Sequence, residues 1–143
     1  MPLDLLFRIA STIALAGWVI LALAPLQRPL AMLAARVLAA VLCGLYLAVL
    51  VHALSHGPGA PGANFNSLDG VMALLKTREA FLAGWFHYLA FDLFIGAWEA
   101  ETAPAARIPH WLLLPCLLLT FLAGPVGLLA YLVLRAARQR SRR

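Results

Sequence analysis

Two ionisable residues, His87 and Asp92, lie inside a stretch apolar enough to enter a membrane, residues 79–101, EAFLAGWFHYLAFDLFIGAWEAE. A charged side chain at the centre of a spanning helix costs at least ~2.5–3.5 kcal/mol on insertion scales. A chain that keeps a carboxylate there must enclose it against partners or use it. With an imidazole nearby, such a carboxyl could do acid–base chemistry on a lipid-soluble molecule, one group giving a proton and the other taking one.

Spacing constrains that pair. His87 and Asp92 are five residues apart, so on a helix they point ~140° from each other. Asp92 shares its face with Trp85, Tyr88 and Glu99, and His87 shares its face with Phe91, Phe94 and Trp98. The helix thus offers polar groups to neighbours on two sides. Two other uses compete. His52 and His56 have the i,i+4 spacing that puts two imidazoles on one face for haem or a metal, with His87 at similar depth. Without a CxxC or HExxH context, a cap-and-interface pair is the plainer reading of them. Asp92 could also simply bond a tyrosine, serine or arginine of the bundle. Glu99, Glu101 and Arg107 read as a solvated link with surface ion pairs, which contribute little.

The elements that position these groups follow from composition. Of 143 residues, 64% are hydrophobic and 12% charged, and mean hydropathy is +0.90. A soluble domain is ~45–50% apolar, so the solvent for this chain is a bilayer. The net charge of +5 does not indicate nucleic acid. Arg135, Arg138, Arg140, Arg142 and Arg143 crowd the last nine positions with no aromatic residues between them, a pattern that fits a flank on anionic lipid. Cys43 and Cys116 are too few and too distant for a disulfide framework or a zinc motif. No cofactor is called for.

Four apolar runs, at about 7–26, from 31 or 37 to 54, 79–101 and 111–134, predict an all-α integral membrane bundle of four transmembrane helices in a single domain, 1–143. The second ends at GPGAPG, residues 57–62, which no helix survives. Asn66 or Ser67 can cap a short amphipathic helix over LDGVMALLK, too short to span and suited to the interface before the third span. Thr77 caps that third span. Pro115 and the GPVG at 124–127 bend the fourth. Four crossings put both termini on one side. With the termini inside, the inner face holds eight positive residues: Arg8, Lys76, Arg78 and the five tail arginines. The outer face holds three, Arg28, Arg36 and Arg107, so the positive-inside rule places both termini in the cytoplasm.

The segments W-F-H-Y-L-A-F-D-L-F (85–94), R-I-P-H (107–110) and P-C-L-L-L-T-F-L-A-G-P-V-G-L-L (115–129) resemble the abscisic-acid-deficient-four-like family. Its plant members are linked to neoxanthin synthesis from violaxanthin in plastid membranes. The likeness runs from about 64 to 135. The family's Trp-x-His and Asp-Leu-Phe elements fall on Trp85, His87 and Asp92–Phe94, its Arg/His step on Arg107 and His110, and its Gly-Pro-x-Gly element on Gly124, Pro125 and Gly127. The resemblance implies an isomerisation that needs a proton given to an epoxide oxygen and another removed from carbon, with no redox cofactor. The short, Ala-, Leu- and Arg-rich chain has no transit peptide and looks bacterial, so only the substrate class carries over: a carotenoid or other isoprenoid lipid, in a bacterial inner membrane.

The leading expectation is therefore an acid–base isomerase of an isoprenoid lipid. Asp92 is its acid or orienting carboxylate and His87 its base. Trp85, Tyr88, Trp98, Arg107 and His110 are its substrate-binding residues, the last two at the outer mouth. Membrane lipid is its other partner, and homo-oligomerisation is open. A non-catalytic membrane subunit or scaffold, and a haem or metal protein using His52 and His56, are the rivals.

Overall fold

The computed structural model describes residues 2–55 and 60–140; His56, Arg142 and Arg143 lie outside the described residues. The described residues are helical throughout their ordered elements: α1 (Leu3–Ala22), α2 (Arg28–Ser55), α3 (Leu68–Leu74), α4 (Arg78–Thr102), α5 (His110–Leu122) and α6 (Gly124–Arg140). A single 3-10 turn, Ala24–Leu26, links α1 to α2. The two caps read from the sequence are present. The Ser67 hydroxyl accepts from the Gly70 N–H at 3.0 Å to start α3, and the Thr77 hydroxyl accepts from the Ala80 N–H at 3.2 Å to start α4.

Three helices, α1, α2 and α4, are long and apolar enough to cross a membrane. α1 and α4 run parallel and pack through small residues, the usual device where lipid supplies no hydrophobic drive between helices. A Cβ added at Gly17 would stand 2.6 Å from the Leu93 side chain, and one added at Gly96 would stand 2.6 Å from the Trp18 ring. α2 runs antiparallel to both, with Arg28 at the end of α4 and Tyr46 beside His87. Leu21, Leu42, Phe86, Leu93 and Leu113 fill the interior. Leu5, Leu15, Val19, Leu33, Leu47 and Phe94 project from the outside, a surface that suits acyl chains rather than water.

The fourth expected span is not one helix. The chain leaves the helical conformation at Ala123 (φ −157°, ψ 77°), and α5 has 13 residues and α6 has 17. Each is short of the ~20 residues a crossing needs. The contacts also show that α6 turns back. Gly124 lies against Asp92, midway along α4, while Tyr131 reaches Thr102 at the far end of α4. α5 starts at that same far end, where His110 Nε2 meets the Ala22 carbonyl at 2.8 Å. The two helices are thus a hairpin that enters from the far end and returns to it. Gly127 makes the reversal tight, because any Cβ there would overlap the Thr120 backbone and hydroxyl. The four-span bundle expected from the sequence is corrected to three long helices, the short α3 and this hairpin. The physical cause is the GPVG segment: Pro125 withholds the N–H that would continue the helix, and Gly127 lets the two arms touch.

Candidate functional site

The hairpin tip faces Asp92. A Cβ on Gly124 would run into the Asp92 carboxylate, so that carboxylate rests directly on the backbone where α6 begins. Asp92 is half-buried, and its Oδ2 is enclosed with no hydrogen-bond partner among the described residues. The Tyr88 hydroxyl lies within reach of the same carboxylate and also donates to the Phe121 carbonyl at 3.2 Å. That carbonyl is the one Pro125 leaves without a helical donor, four residues on. Tyr88 has one phenolic proton and two acceptors. When it serves Phe121, only a protonated Asp92 can complete the contact by donating to the phenol oxygen.

Glu99, two turns further along α4, repeats the arrangement and corrects the reading of it as part of a solvated link. It is fully buried. Its carboxylate oxygens lie 3.0 and 3.1 Å from the Thr120 hydroxyl, which also donates to the Cys116 carbonyl at 3.0 Å. Again one hydroxyl proton faces several acceptors, and a neutral carboxyl would close the set. The ion pairs among the described residues lie elsewhere, at Arg36–Glu101 and Arg78–Asp4, both exposed. Two carboxyls with no cationic partner among the described residues therefore line one seam between α4 and the hairpin. Asp92 and Glu99 share one face of the helix, and that shared face is the sequence signal for Glu99. Its proximity to Glu101 and Arg107 in sequence disguised it.

His87 lies on the other side of α4. Its ring stacks on Phe91 at 4.4 Å and meets Tyr46 edge-on at 5.9 Å. It opens on a cavity of about 590 Å³ between α2, α3 and α4, away from the hairpin. His87 and Asp92 thus do not share one enclosed space, as the ~140° between them foreshadowed. His52 lines the same cavity as His87. Among the described residues no three His, Cys, Asp or Glu side chains converge where they could hold a metal ion.

The remaining expected site residues divide. Trp85 and Tyr88 stand on the Asp92 side, 5.4 Å apart between ring centroids, with Phe7 of α1 5.8 Å from Trp85. Together they form an aromatic wall beside the carboxylate. Trp98 packs on Tyr131 at 5.5 Å, with the Arg135 guanidinium 5.7 Å above it. Arg107 is an exposed turn residue with φ 54°. His110 is committed to the Ala22 carbonyl. Trp98 and His110 tie the far end together, and all three stand apart from Asp92.

The model of the ABA DEFICIENT 4-like family matches residues 5–131, which takes in α1 through the first half of α6. No curated protein and no solved structure matches the chain significantly.

Proposed function

Because the chain belongs to the ABA DEFICIENT 4-like family, we propose that it is a membrane-embedded acid–base isomerase of an isoprenoid lipid of the carotenoid class, with Asp92 as the proton-transferring group. The observation that supports this is the enclosed Asp92 Oδ2, unpartnered among the described residues, beside the aromatic wall of Phe7, Trp85 and Tyr88. A lipid-soluble substrate reaches a half-buried side chain laterally, through the bilayer. A protonated Asp92 gives its proton to the substrate oxygen, the carbon–oxygen bond opens, and the resulting carboxylate takes a proton from the neighbouring carbon. Atoms and charge balance, and the enzyme ends as it began. Tyr88 orients the carboxyl. His87, on the opposite face, is left out of this proton cycle. The test is pigment and lipid profiling in a carotenoid-producing host. Wild type should yield a new isomer of unchanged mass, Asp92→Asn none, and Tyr88→Phe a reduced amount. Identical profiles with and without the wild-type chain would refute the reading.

The scaffold alternative draws on the same contacts, since Asp92 and Glu99 also hold the hairpin to α4. It predicts a co-purifying partner lost on Asp92→Asn, with no lipid product in any strain.

The orientation in the membrane is also revised. With the hairpin returning, α1 begins on one face and α6 ends on the other. The face of the N-terminus carries Arg8, Lys76 and Arg78; the opposite face carries Arg28, Arg36, Arg107, Arg135, Arg138 and Arg140. By the positive-inside rule the C-terminal face is cytoplasmic and the N-terminus lies outside, in a bacterial inner membrane.

A further inference from the structure

Glu99 is a buried carboxyl that the Asp92 cycle does not use, and it stands in a line of protonatable side chains. Tyr88, Asp92, Glu99 and Thr102 fall within about 80° of one another around α4, so they form one stripe. The stripe faces the hairpin, where Thr120 and Tyr131 answer it. The Thr120 hydroxyl lies 3.0 and 3.1 Å from the two Glu99 oxygens. Asp92 and Glu99 are close enough for their charges to interact, as are Glu99 and the Tyr131 phenol. That phenol is fully buried and meets the Thr102 hydroxyl at 2.6 Å. Thr102 gives its own proton to the Trp98 carbonyl at 2.8 Å, so Tyr131 is the donor between the two hydroxyls. Thr102 is half-buried at the end of α4, ~15 Å beyond Asp92, and there the line reaches the surface.

The gap between Asp92 and Glu99 is short. A Cβ on Gly124 would overlap Asp92 Oδ1, and one on Gly127 would overlap the Thr120 hydroxyl. Three residues apart on α6, those Cβ positions are ~5–6 Å from each other. That sets the scale of the separation between the Asp92 carboxylate and the Thr120–Glu99 contact, the length of two hydrogen bonds of ~2.8 Å. Helical side chains lean toward the N-terminus, so the Glu99 side chain leans toward Asp92, whose enclosed Oδ2 is unpartnered among the described residues. In the other direction the line stops. Trp85 is the next polar-tipped ring beyond Tyr88 on that face, and its indole N–H lies 3.5 Å from the Ser11 hydroxyl. An indole N–H only donates, so it does not pass a proton on. We propose that Glu99 is a proton relay, which carries protons along the seam between Asp92 and the water at the C-terminal end of α4. One proton enters by Thr102 and Tyr131 as one moves from Glu99 to Asp92; the reverse sequence empties the site, and no electron moves. A carboxylate stranded by a substrate that leaves early is thereby reprotonated. That purpose rests on the isomerase reading, whereas the exchange itself does not.

The experiment is infrared spectroscopy of the purified full chain in liposomes as the buffer is switched to heavy water. The Asp92 band is the protonated-carboxyl C=O stretch that Asp92→Asn lacks, and its downshift times the exchange. The rate should be at least tenfold lower in Glu99→Gln, which keeps the shape and a donor for Thr120 but has no acid proton. Glu99→Asp should recover part of the rate, and Tyr131→Phe should lower it severalfold. Ser11→Ala, on the opposite side of Asp92, should exchange as wild type does. Circular dichroism confines the comparison to folded protein. A Glu99 that served only to hold the hairpin would shift the thermal midpoint without moving the rate. A wild-type rate in folded Glu99→Gln or in Tyr131→Phe, exchange in Ser11→Ala as slow as in Glu99→Gln, or no carboxyl band lost in Asp92→Asn would overturn the relay. Exchange slowed as expected, with no isomer formed in any strain, would uphold the relay and count against the isomerase alone.

Discussion

Thr120 of α5 holds its hydroxyl 3.0 Å from one oxygen of Glu99 and 3.1 Å from the other, at a point where both residues are fully buried. One side-chain contact thereby fastens the hairpin to the most polar of the three long helices. Substituting Thr120 by Val keeps the shape and removes Glu99's donor. A buried polar group left without its partner costs ~1–3 kcal/mol, so Thr120→Val should unfold at lower temperature in detergent. Because the penalty belongs to the abandoned carboxyl, adding Glu99→Leu should recover part of it. Equal and additive losses from the two changes would show that the contact has no energetic weight.

Close backbone approach at the hairpin tip gives a graded expectation. At Gly124 an added methyl meets the Asp92 carboxylate, a side chain with some freedom to move; at Gly127 it meets the Thr120 backbone, which has little. Overpacking of this kind costs ~1–3 kcal/mol. Gly127→Ala should therefore destabilise more than Gly124→Ala in thermal unfolding. Gly124→Ala should also cut product formation, since it displaces the proposed acid. The reverse order of stability would contradict the hairpin geometry.

Much of this was legible in the sequence, and the failures have physical causes. Ser67, Thr77 and the short interfacial helix follow from capping chemistry that acts within three or four residues. The lipid-facing surface follows from composition. Asp92 stands out because a carboxyl is rare in such a run. The reversal at Ala123 was not legible. The apolar run at 111–134 is long enough for either one bent crossing or a hairpin, and Gly and Pro mark a break without giving its angle. The angle is decided by partners distant in sequence: Tyr88 takes the Phe121 carbonyl, Glu99 holds Thr120, and Thr102 meets Tyr131 at 2.6 Å. On the proposed topology the same reversal carries the arginine tail to the face opposite the N-terminus, where four crossings would have returned it to the N-terminal face.

The revised topology is itself checkable. Reporters fused to each end, one active only in the cytoplasm and one only outside it, should place the C-terminus in and the N-terminus out. Both ends reporting from the cytoplasm would restore the four-crossing arrangement and remove the hairpin.

A buried backbone carbonyl supplies a further case. Pro104 cannot donate to the Ala100 carbonyl, and Arg28 does so instead at 2.6 Å. Arg28→Met keeps the length and apolar stem of the side chain but leaves that carbonyl unmet, at ~1–3 kcal/mol. A lowered midpoint of thermal unfolding is expected. An unaltered midpoint would mean that water or lipid serves the carbonyl equally well.

The central claim is that Asp92 transfers the proton. Its most direct test is purified wild type and Asp92→Asn, matched for fold by circular dichroism, reconstituted in liposomes with an epoxy-carotenoid and followed by chromatography with mass detection. The account predicts an isomer of equal mass from wild type and at least a hundredfold less from Asp92→Asn, a loss of the size attributed to a general acid. Equal isomer from both proteins would contradict it.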